Sequence, residues 1–113
     1  MDAYPVSDWY EPREDAVKAM NDAAPFELLV VHGTWCPDCE YTIPLLKKLL
    51  LQLPNVKVID CPVDRSKVDK DGYTAKYDIH RIPAIVAIRD GKKLGAVIEY
   101  PNATIEEDLA KVL

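Results

Sequence analysis

Two patterns of apolar residues recur along this chain: short, nearly continuous runs typical of buried strands, and helical spacing typical of amphipathic helices. Phe26 to His32 is a run of the first kind, which predicts a strand buried on both faces. From Asp38 to Leu53 the apolar residues recur at helical spacing, and Pro44 is expected to kink this helix. Val56 to Val63 then predicts a second strand. The strand, helix and strand together form the predicted centre of the domain.

Further elements flank this centre on both sides. They are a helix opened by Pro12 and ended by Pro25, a short helix over 73–77, a strand over 82–88, a strand over 94–100, and a helix capped by Thr104. Asp90-Gly91, between the last two strands, predicts a hairpin turn. The resulting order α-β-α-β-α-β-β-α predicts an α/β fold with a central sheet and helices on both faces.

Length and charge narrow the classes of protein that remain. With 113 residues, we expect a single domain over 1–113. The net charge is −5 and no basic patch is present, so nucleic acid is not an expected partner. No apolar run approaches the roughly 20 residues that cross a bilayer, so no membrane association is expected. The first residues show no secretory signal, and we therefore expect a cytoplasmic protein.

The segment Trp35-Cys36-Pro37-Asp38-Cys39 lies between the first predicted strand and the following helix. Backbone N–H groups at a helix N-terminus stabilise a thiolate, so Cys36 is the predicted nucleophile. Cys39 lies one turn further into the helix, where it can close a disulfide with Cys36. In a reducing compartment, such a spacing is more often catalytic or metal-binding than structural. We therefore predict thiol–disulfide exchange at this pair.

Several motifs in a fixed order connect this pair to a known family. A Trp precedes the first cysteine, Pro44 follows that cysteine by eight positions, Ile82-Pro83 opens the third strand, and Asp90-Gly91 forms a hairpin. In these features the sequence resembles the thioredoxin superfamily over nearly its whole length. The resemblance implies a thioredoxin-like fold with a mixed central sheet. It also implies a disulfide reductase that reduces protein or small-molecule disulfides through a mixed disulfide, holds no organic cofactor, and is regenerated by an NADPH-linked disulfide reductase or another dithiol.

The resemblance also implies the residues around the substrate. Pro83 takes the place of the family's cis-proline, which faces the cysteine pair and lies where an extended substrate binds. The expected substrate contacts are Trp35, Pro37, Arg81, Ile82 and Pro83. Between the cysteines, Pro37-Asp38 replaces the usual Gly-Pro, and the charge of Asp38 is expected to oppose thiolate formation at Cys36.

One departure from the family concerns the proton of the resolving thiol. Thioredoxins carry a buried Asp where this chain has Val30, and a Lys on the second strand where this chain has Asp60. We predict that Asp60 is the replacement: a buried carboxylate with a raised pKa that takes the proton of Cys39. The alternative is that Asp60 is a solvated residue at the end of a strand.

Two further polar residues have structural interpretations. His32 stands where thioredoxins commonly have Trp, and Asp64 is its expected hydrogen-bond partner. Cys61, the third cysteine, is expected to be a buried core thiol.

Two other functions remain open for the same residues. Cys36 and Cys39 could bind a metal or an iron–sulfur cluster, although the chain has no second Cys-x-x-Cys or His pair that would complete a zinc site. The chain could also be a binding module that uses the groove beside Pro83 without turnover.

Overall fold

A computed structural model describes residues 1–113 and contains four helices and four strands. In chain order these are α1 (Glu14–Asp22), β1 (Glu27–His32), α2 (Pro37–Leu50), β2 (Lys57–Pro62), α3 (Tyr73–Lys76), β3 (Ala84–Arg89), β4 (Lys92–Ile98) and α4 (Ile105–Ala110). The element order agrees with the sequence-based expectation. None of the helices combines the length and the apolar character needed to span a lipid bilayer.

The strands form one mixed sheet in the order β2-β1-β3-β4. β1 is parallel to β2, with Val31 opposite Cys61, and antiparallel to β3, with Val30 opposite Ile85. In β1 all residues after Glu27 are buried, and in β3 all residues before Arg89 are buried. Because successive side chains of a strand point to opposite faces, both faces of the sheet are covered. The expected α/β fold with a thioredoxin-like mixed sheet is confirmed.

Local chemistry explains where several elements begin and end. Asp90 and Gly91 have φ values of 53° and 74°, and this turn with two positive φ angles joins β3 to β4. Since Arg89 pairs with Lys92 directly across the turn, β4 begins two residues before the predicted Leu94. The Thr104 hydroxyl accepts a hydrogen bond from the Glu107 N–H at 3.1 Å, which caps α4 as predicted.

A cluster of 27 buried residues forms the hydrophobic core. Helix α2 contributes Cys39, Ile43, Leu46 and Leu49, all with no exposed surface. Cys61 on β2 is buried, as expected of a core thiol, and burial raises its pKa to about 12. The face of α2 that carries Cys39 therefore points into the core, whereas the N-terminus of the helix points out of it.

The N-terminal segment, residues 1–10, packs along α2 although its sequence shows no helical or strand period. The Ser7 N–H donates to the Pro44 carbonyl oxygen at 3.1 Å. The Lys47 ammonium donates to the Tyr4 carbonyl oxygen at 2.5 Å and to that of Met1 at 3.1 Å. These contacts hold the Tyr4 side chain in the core, where only 4% of the residue is exposed.

Glu106 connects the N-terminal half of the chain to α4. Its carboxyl group has no exposed surface and accepts hydrogen bonds from the Tyr10 hydroxyl at 2.7 and 3.0 Å. The Arg13 N–H, at the start of α1, donates to the same group at 2.7 Å. Because α1 and α4 pack against each other, these bonds satisfy polar groups that water cannot reach.

Candidate active site

The Cys36 thiol lies at the N-terminus of α2. Cys36 is the N-cap residue of the helix, and its sulfur accepts a hydrogen bond from the Cys39 N–H at 3.3 Å. Its own N–H donates to the Gly33 carbonyl oxygen at 3.1 Å, which closes the turn between β1 and α2. Pro37 occupies the first helical position, where its missing N–H leaves no hydrogen bond unmade. The sulfur therefore faces the positive end of the helix.

The two thiols of the motif differ in their environment. Cys36 retains 7% of its surface, whereas Cys39 retains none. Burial, together with the hydrogen bond and charge of Cys36 and the charge of Asp38, raises the pKa of Cys39 to about 12. Cys39 is thus a protonated thiol at neutral pH, and Cys36 is the sulfur that another molecule can reach.

The Ile82–Pro83 loop lies against the cysteine pair. The Cys36 sulfur is 4.0 Å from the Ile82 carbonyl oxygen, and the Ile82–Pro83 peptide bond is cis. The Pro83 carbonyl oxygen accepts a hydrogen bond from the Glu99 N–H at 2.8 Å, which fixes the loop to the end of β4. The structure therefore brings Ile82 and Pro83 to Cys36, although they lie far from it in sequence.

Trp35 forms one wall beside the motif. Its indole N–H donates to the Val63 carbonyl oxygen at 3.0 Å, and the ring is half-buried. The guanidinium carbon of Arg65 lies 5.2 Å from the centre of the ring, a cation–π contact. Arg65 was not among the predicted site residues, because a charged residue in a loop gives no sign of which ring it covers.

Arg81, one of the expected substrate contacts, forms an ion pair with Glu99. Its Nε lies 3.7 Å from a Glu99 carboxylate oxygen, and 69% of the side chain is exposed. An exposed pair of this kind contributes little to stability. The carboxylate of Glu99 therefore partly neutralises the positive charge of Arg81.

Asp38, between the cysteines, accepts a hydrogen bond from the Tyr100 hydroxyl at 3.1 Å, and this bond raises the pKa of Tyr100. Tyr100 was not among the expected site residues. It also lines an aromatic cleft of about 320 Å³ next to the motif. The larger side chains of this cleft are Trp9, Tyr10, Tyr41, Leu45 and Tyr100.

The environment of Asp60 differs from the expected one. Because β2 is an edge strand, 45% of the Asp60 side chain is exposed, and one carboxylate oxygen lies 2.5 Å from Nε2 of His32. The other oxygen pairs with the Met1 amino group. Partial burial alone would raise the pKa of Asp60, but the bonds from Met1 and His32 lower it. The predicted buried carboxylate with a raised pKa is wrong.

The expected partner of His32 is wrong as well. Asp64 accepts hydrogen bonds from the N–H and hydroxyl groups of Ser66, each within its own turn. His32 instead bridges Asp60 and Tyr4, whose hydroxyl lies 3.0 Å from Nδ1. A carboxylate oxygen only accepts, so Nε2 carries the hydrogen and Nδ1 of a neutral ring accepts from Tyr4. Tyr4 was not predicted, since nothing in an irregular segment shows where its aromatic rings pack.

The side chains that could ligate a metal do not converge. No group of three or more His, Cys, Asp or Glu side chains is placed to hold a metal ion. A metal bound by Cys36 and Cys39 would therefore need further ligands from another molecule.

Replacement of Gly33 by alanine is expected to displace Trp35. An added Cβ would lie 2.4 Å from the indole nitrogen and 3.0 Å from the Val63 carbonyl oxygen, so the hydrogen bond between those groups must break. We expect a loss of about 1–3 kcal/mol in unfolding free energy, the usual cost of overpacking. In a Trp9→Phe background, where only Trp35 fluoresces, the emission should shift to the red. Thr34→Ala is the control, and unchanged emission in Gly33→Ala would contradict the described packing.

A mixed sheet whose central strand leads directly into a helix with a Cys-x-x-Cys N-terminus places this protein in the thioredoxin-like class. A sequence profile described as thioredoxin matches residues 7–111. The chain belongs to the thioredoxin family.

Individual relatives agree with this assignment at low sequence identity. The chain is 25% identical over 108 residues to Thioredoxin H-type 1 of Nicotiana tabacum, covering 94% of this chain and 78% of that protein. It is 28% identical over 98 residues to the TPR repeat-containing thioredoxin TDX of Arabidopsis thaliana, covering 87% of this chain but only 25% of that protein. The crystal structure of oxidised mitochondrial thioredoxin 3 of Saccharomyces cerevisiae superimposes with a TM-score of 0.61, 25% identity and 88% coverage of each chain. The family and the dithiol together support a thiol–disulfide oxidoreductase function.

Proposed function

We propose that this protein is a disulfide reductase in which Cys36 is the nucleophile and Cys39 the resolving thiol. The observation that carries the proposal is the placement of the Cys36 sulfur at the N-terminus of α2, with the fully buried Cys39 one turn behind it. This arrangement presents one sulfur to a substrate and keeps the second for an internal attack.

The reaction proceeds through a mixed disulfide. The Cys36 thiolate attacks one sulfur of the substrate disulfide, the substrate S–S bond breaks, and the first substrate thiolate leaves. The Cys39 thiolate then attacks the Cys36 sulfur and expels the second substrate thiolate. The substrate gains two electrons, and the Cys36–Cys39 pair becomes a disulfide.

The oxidised pair needs a source of electrons for the next turnover. We assign this role to an NADPH-linked disulfide reductase or another dithiol, because no step of the exchange requires an organic cofactor in this chain. A reducing compartment such as the cytoplasm suits a dithiol that must return to its reduced form. The substrates are disulfides of proteins or small molecules.

The residues that surround Cys36 define the proposed substrate site. The Ile82 carbonyl oxygen lies 4.0 Å from the Cys36 sulfur, so the Ile82–Pro83 loop offers backbone groups to a substrate, and Trp35 directly precedes Cys36 in the chain. Pro37 is exposed at the helix start, and Arg81 stands at the rim in its pair with Glu99. We propose that an extended segment carrying a disulfide binds along this loop, with its disulfide at the Cys36 sulfur.

The Cys39→Ser variant tests this proposal by trapping the intermediate. Because serine cannot resolve the mixed disulfide, incubation with oxidised glutathione or insulin should leave a covalent adduct on Cys36, detected by mass spectrometry. Cys61→Ser is the matched control, since it removes a buried thiol outside the motif, and it should accumulate no adduct.

Other results would contradict the proposal in different ways. A Cys39→Ser variant without an adduct, or with its adduct on Cys61, would exclude Cys36 as the nucleophile. A stoichiometric metal in the purified wild type that is lost in Cys36→Ser would favour metal binding. A Cys36–Cys39 pair that exchanges with no disulfide would favour a binding module.

A further inference from the structure

Most of the large apolar side chains that this protein exposes lie together beside the motif. Six such side chains are exposed, and four of them surround one region of the surface: Val6, Trp9, Tyr41 and Tyr100. Trp9, Tyr41 and Tyr100 line the aromatic cleft, and Val6 lines a groove that adjoins it. Contact of grouped apolar side chains with water is unfavourable, so a surface of this kind indicates an interaction site.

The aromatic cleft begins at the motif and follows one face of α2. Asp38, Tyr41 and Leu45 are spaced by three and four residues, so they lie on the same face of the helix. Tyr100 bonds Asp38 at the motif end of this face, and Tyr41 and Leu45 line the cleft. From Cys36 to Tyr41 the helix advances by about 7.5 Å. The cleft is therefore continuous with the surface around the dithiol.

The lining of the cleft favours an apolar occupant. No charged side chain contributes to it, and the hydroxyls of Tyr10, Tyr100 and Thr104 already donate hydrogen bonds to carboxylates of the protein. The volume of about 320 Å³ lies at the small end of the range of about 300–1,000 Å³ for ligand pockets, which suits one large side chain. Because aromatic rings attract one another beyond the area that they bury, an aromatic side chain is the best match.

Acidic side chains without ion-pair partners flank the cleft. Asp8 and Glu40 line the adjoining groove, which has a volume of about 380 Å³ and no basic side chain in its lining. Asp38 lies at the edge of the cleft, where it bonds Tyr100. None of these three carboxylates belongs to an ion pair of the chain. A cation next to the bound aromatic ring would therefore be attracted, and an anion would be repelled.

We propose that the aromatic cleft is a specificity subsite, which binds an aromatic side chain of the polypeptide whose disulfide reacts at Cys36, with a lysine or arginine next to that side chain. This inference rests on the proposed reductase function and deepens it, because it states which disulfides react fastest. The subsite is separate from the Ile82–Pro83 loop, since neither residue lines the cleft. An extended chain advances about 3.3 Å per residue, so the aromatic residue lies roughly two to four residues from the reactive cysteine.

Peptide disulfides of defined sequence test this subsite. One probe is the symmetrical disulfide of acetyl-Cys-Gly-Gly-Phe-Lys-amide, and a second is that of acetyl-Lys-Phe-Gly-Gly-Cys-amide, which presents the opposite chain direction. The reduced full chain is mixed with an excess of each disulfide, samples are quenched with acid, and the released peptide thiol is measured by chromatography. Each second-order rate constant is divided by that of the same peptide with Ala in place of Phe. Oxidised glutathione is the probe without an aromatic residue.

The wild-type protein should prefer the aromatic peptide. We expect the Phe peptide of one chain direction to react about tenfold faster than its Ala counterpart, because the ring is buried among other aromatic rings. A spacer of about eight glycines should reduce this preference to about twofold or less, since the longer loop is costlier to close. Replacement of the peptide lysine by glutamate should lower the rate about threefold, and added salt should diminish that difference.

Variants of the cleft assign the preference to its walls. Tyr41→Ala and Trp9→Ala should each reduce the tenfold preference to about twofold, while the rate with oxidised glutathione stays within about twofold of the wild type. Both side chains are more than half exposed, so their removal leaves the core intact. Leu51→Ala is the matched control, because it shortens another exposed apolar side chain, at the opposite end of α2, and it should retain the full preference.

A charge variant tests the acidic flank separately. Glu40→Gln removes one carboxylate of the adjoining groove, so it should reduce the preference for the lysine peptide over the glutamate peptide. Asp90→Asn is the matched control, since it removes an exposed carboxylate in the hairpin between β3 and β4, and its preference should equal that of the wild type.

The outcomes separate the subsite from the reductase function. Phe and Ala peptides that react within about twofold of each other, while oxidised glutathione is reduced, would overturn the subsite alone. A preference retained in both Tyr41→Ala and Trp9→Ala, or lost equally in Leu51→Ala, would also overturn it. A dimer in sedimentation that dissociates in Tyr41→Ala would assign the cleft to a second copy of the chain and overturn the proposal. Protein that reduces neither the peptides nor oxidised glutathione would overturn both the subsite and the reductase function.

Discussion

Replacement of Cys36 by serine is expected to lower the rate of insulin disulfide reduction by about three orders of magnitude or more, to the rate of the reductant in the buffer alone. A serine hydroxyl is far less acidic than a thiol, so at neutral pH the helix N-terminus has no anion to stabilise. The remaining motif thiol, Cys39, is fully buried and cannot replace the nucleophile. The measurement is reduction of insulin with dithiothreitol as electron donor.

Two controls make this loss interpretable. Cys61→Ser should retain the wild-type rate, because Cys61 lies in the core outside the motif. Thermal unfolding of Cys36→Ser should remain close to that of the wild type, since sulfur and oxygen both accept the hydrogen bond from the Cys39 N–H. A Cys36→Ser variant that keeps more than about a tenth of the activity would show that another group starts the exchange.

Replacement of Glu106 by alanine is expected to lower the free energy of unfolding by about 3 kcal/mol. The Tyr10 hydroxyl and the Arg13 N–H both lose their acceptor in a place without water. A buried donor without a partner costs about 1–3 kcal/mol, and the removed side chain also leaves a cavity. Because these bonds join the start of α1 to α4, the loss affects both elements. Urea unfolding followed by circular dichroism measures the change.

The conservative variant and a surface control test the same explanation. Glu106→Gln keeps one acceptor oxygen of similar position, so its loss should be about half that of Glu106→Ala. Glu11→Ala removes an exposed carboxylate next to Tyr10 and should change the unfolding free energy by about 0.5 kcal/mol or less. Equal stability of Glu106→Ala and the wild type would show that the carboxyl group does not hold the two helices together.

Regular patterns made much of the fold predictable. The apolar run before the motif, the helical spacing after it and the Asp90-Gly91 pair each depend on interactions between residues close in sequence, and β1, α2 and the hairpin follow them. Cys36 and Cys39 are three positions apart on one helix, so their proximity is a property of the local sequence. Ile82-Pro83 was recognised from a family pattern, because nothing local connects that loop to Cys36.

The residues that were assigned wrongly depend on contacts between distant segments. Asp60 was expected to be buried, but β2 is an edge strand, and strand order follows from how the whole chain packs. Asp64 was the expected partner of His32, whereas the parallel register of β1 and β2 and the packed N-terminal segment give His32 the partners Asp60 and Tyr4. The periodicity of apolar residues does not predict contacts between side chains that are distant in sequence.

The amino-acid sequence alone was therefore sufficient for the order of helices and strands, the α/β class and the cysteine pair at a helix N-terminus, since each depends on spacing along the chain. Only the tertiary structure shows that Tyr4, His32 and Asp60 form one hydrogen-bonded chain and that Tyr100 bonds Asp38. These contacts join an irregular N-terminal segment, two strands, the start of α2 and the loop after β4. Because side-chain partners across such separations are selected by packing of the complete core, the groups around the dithiol become visible only once the chain is folded.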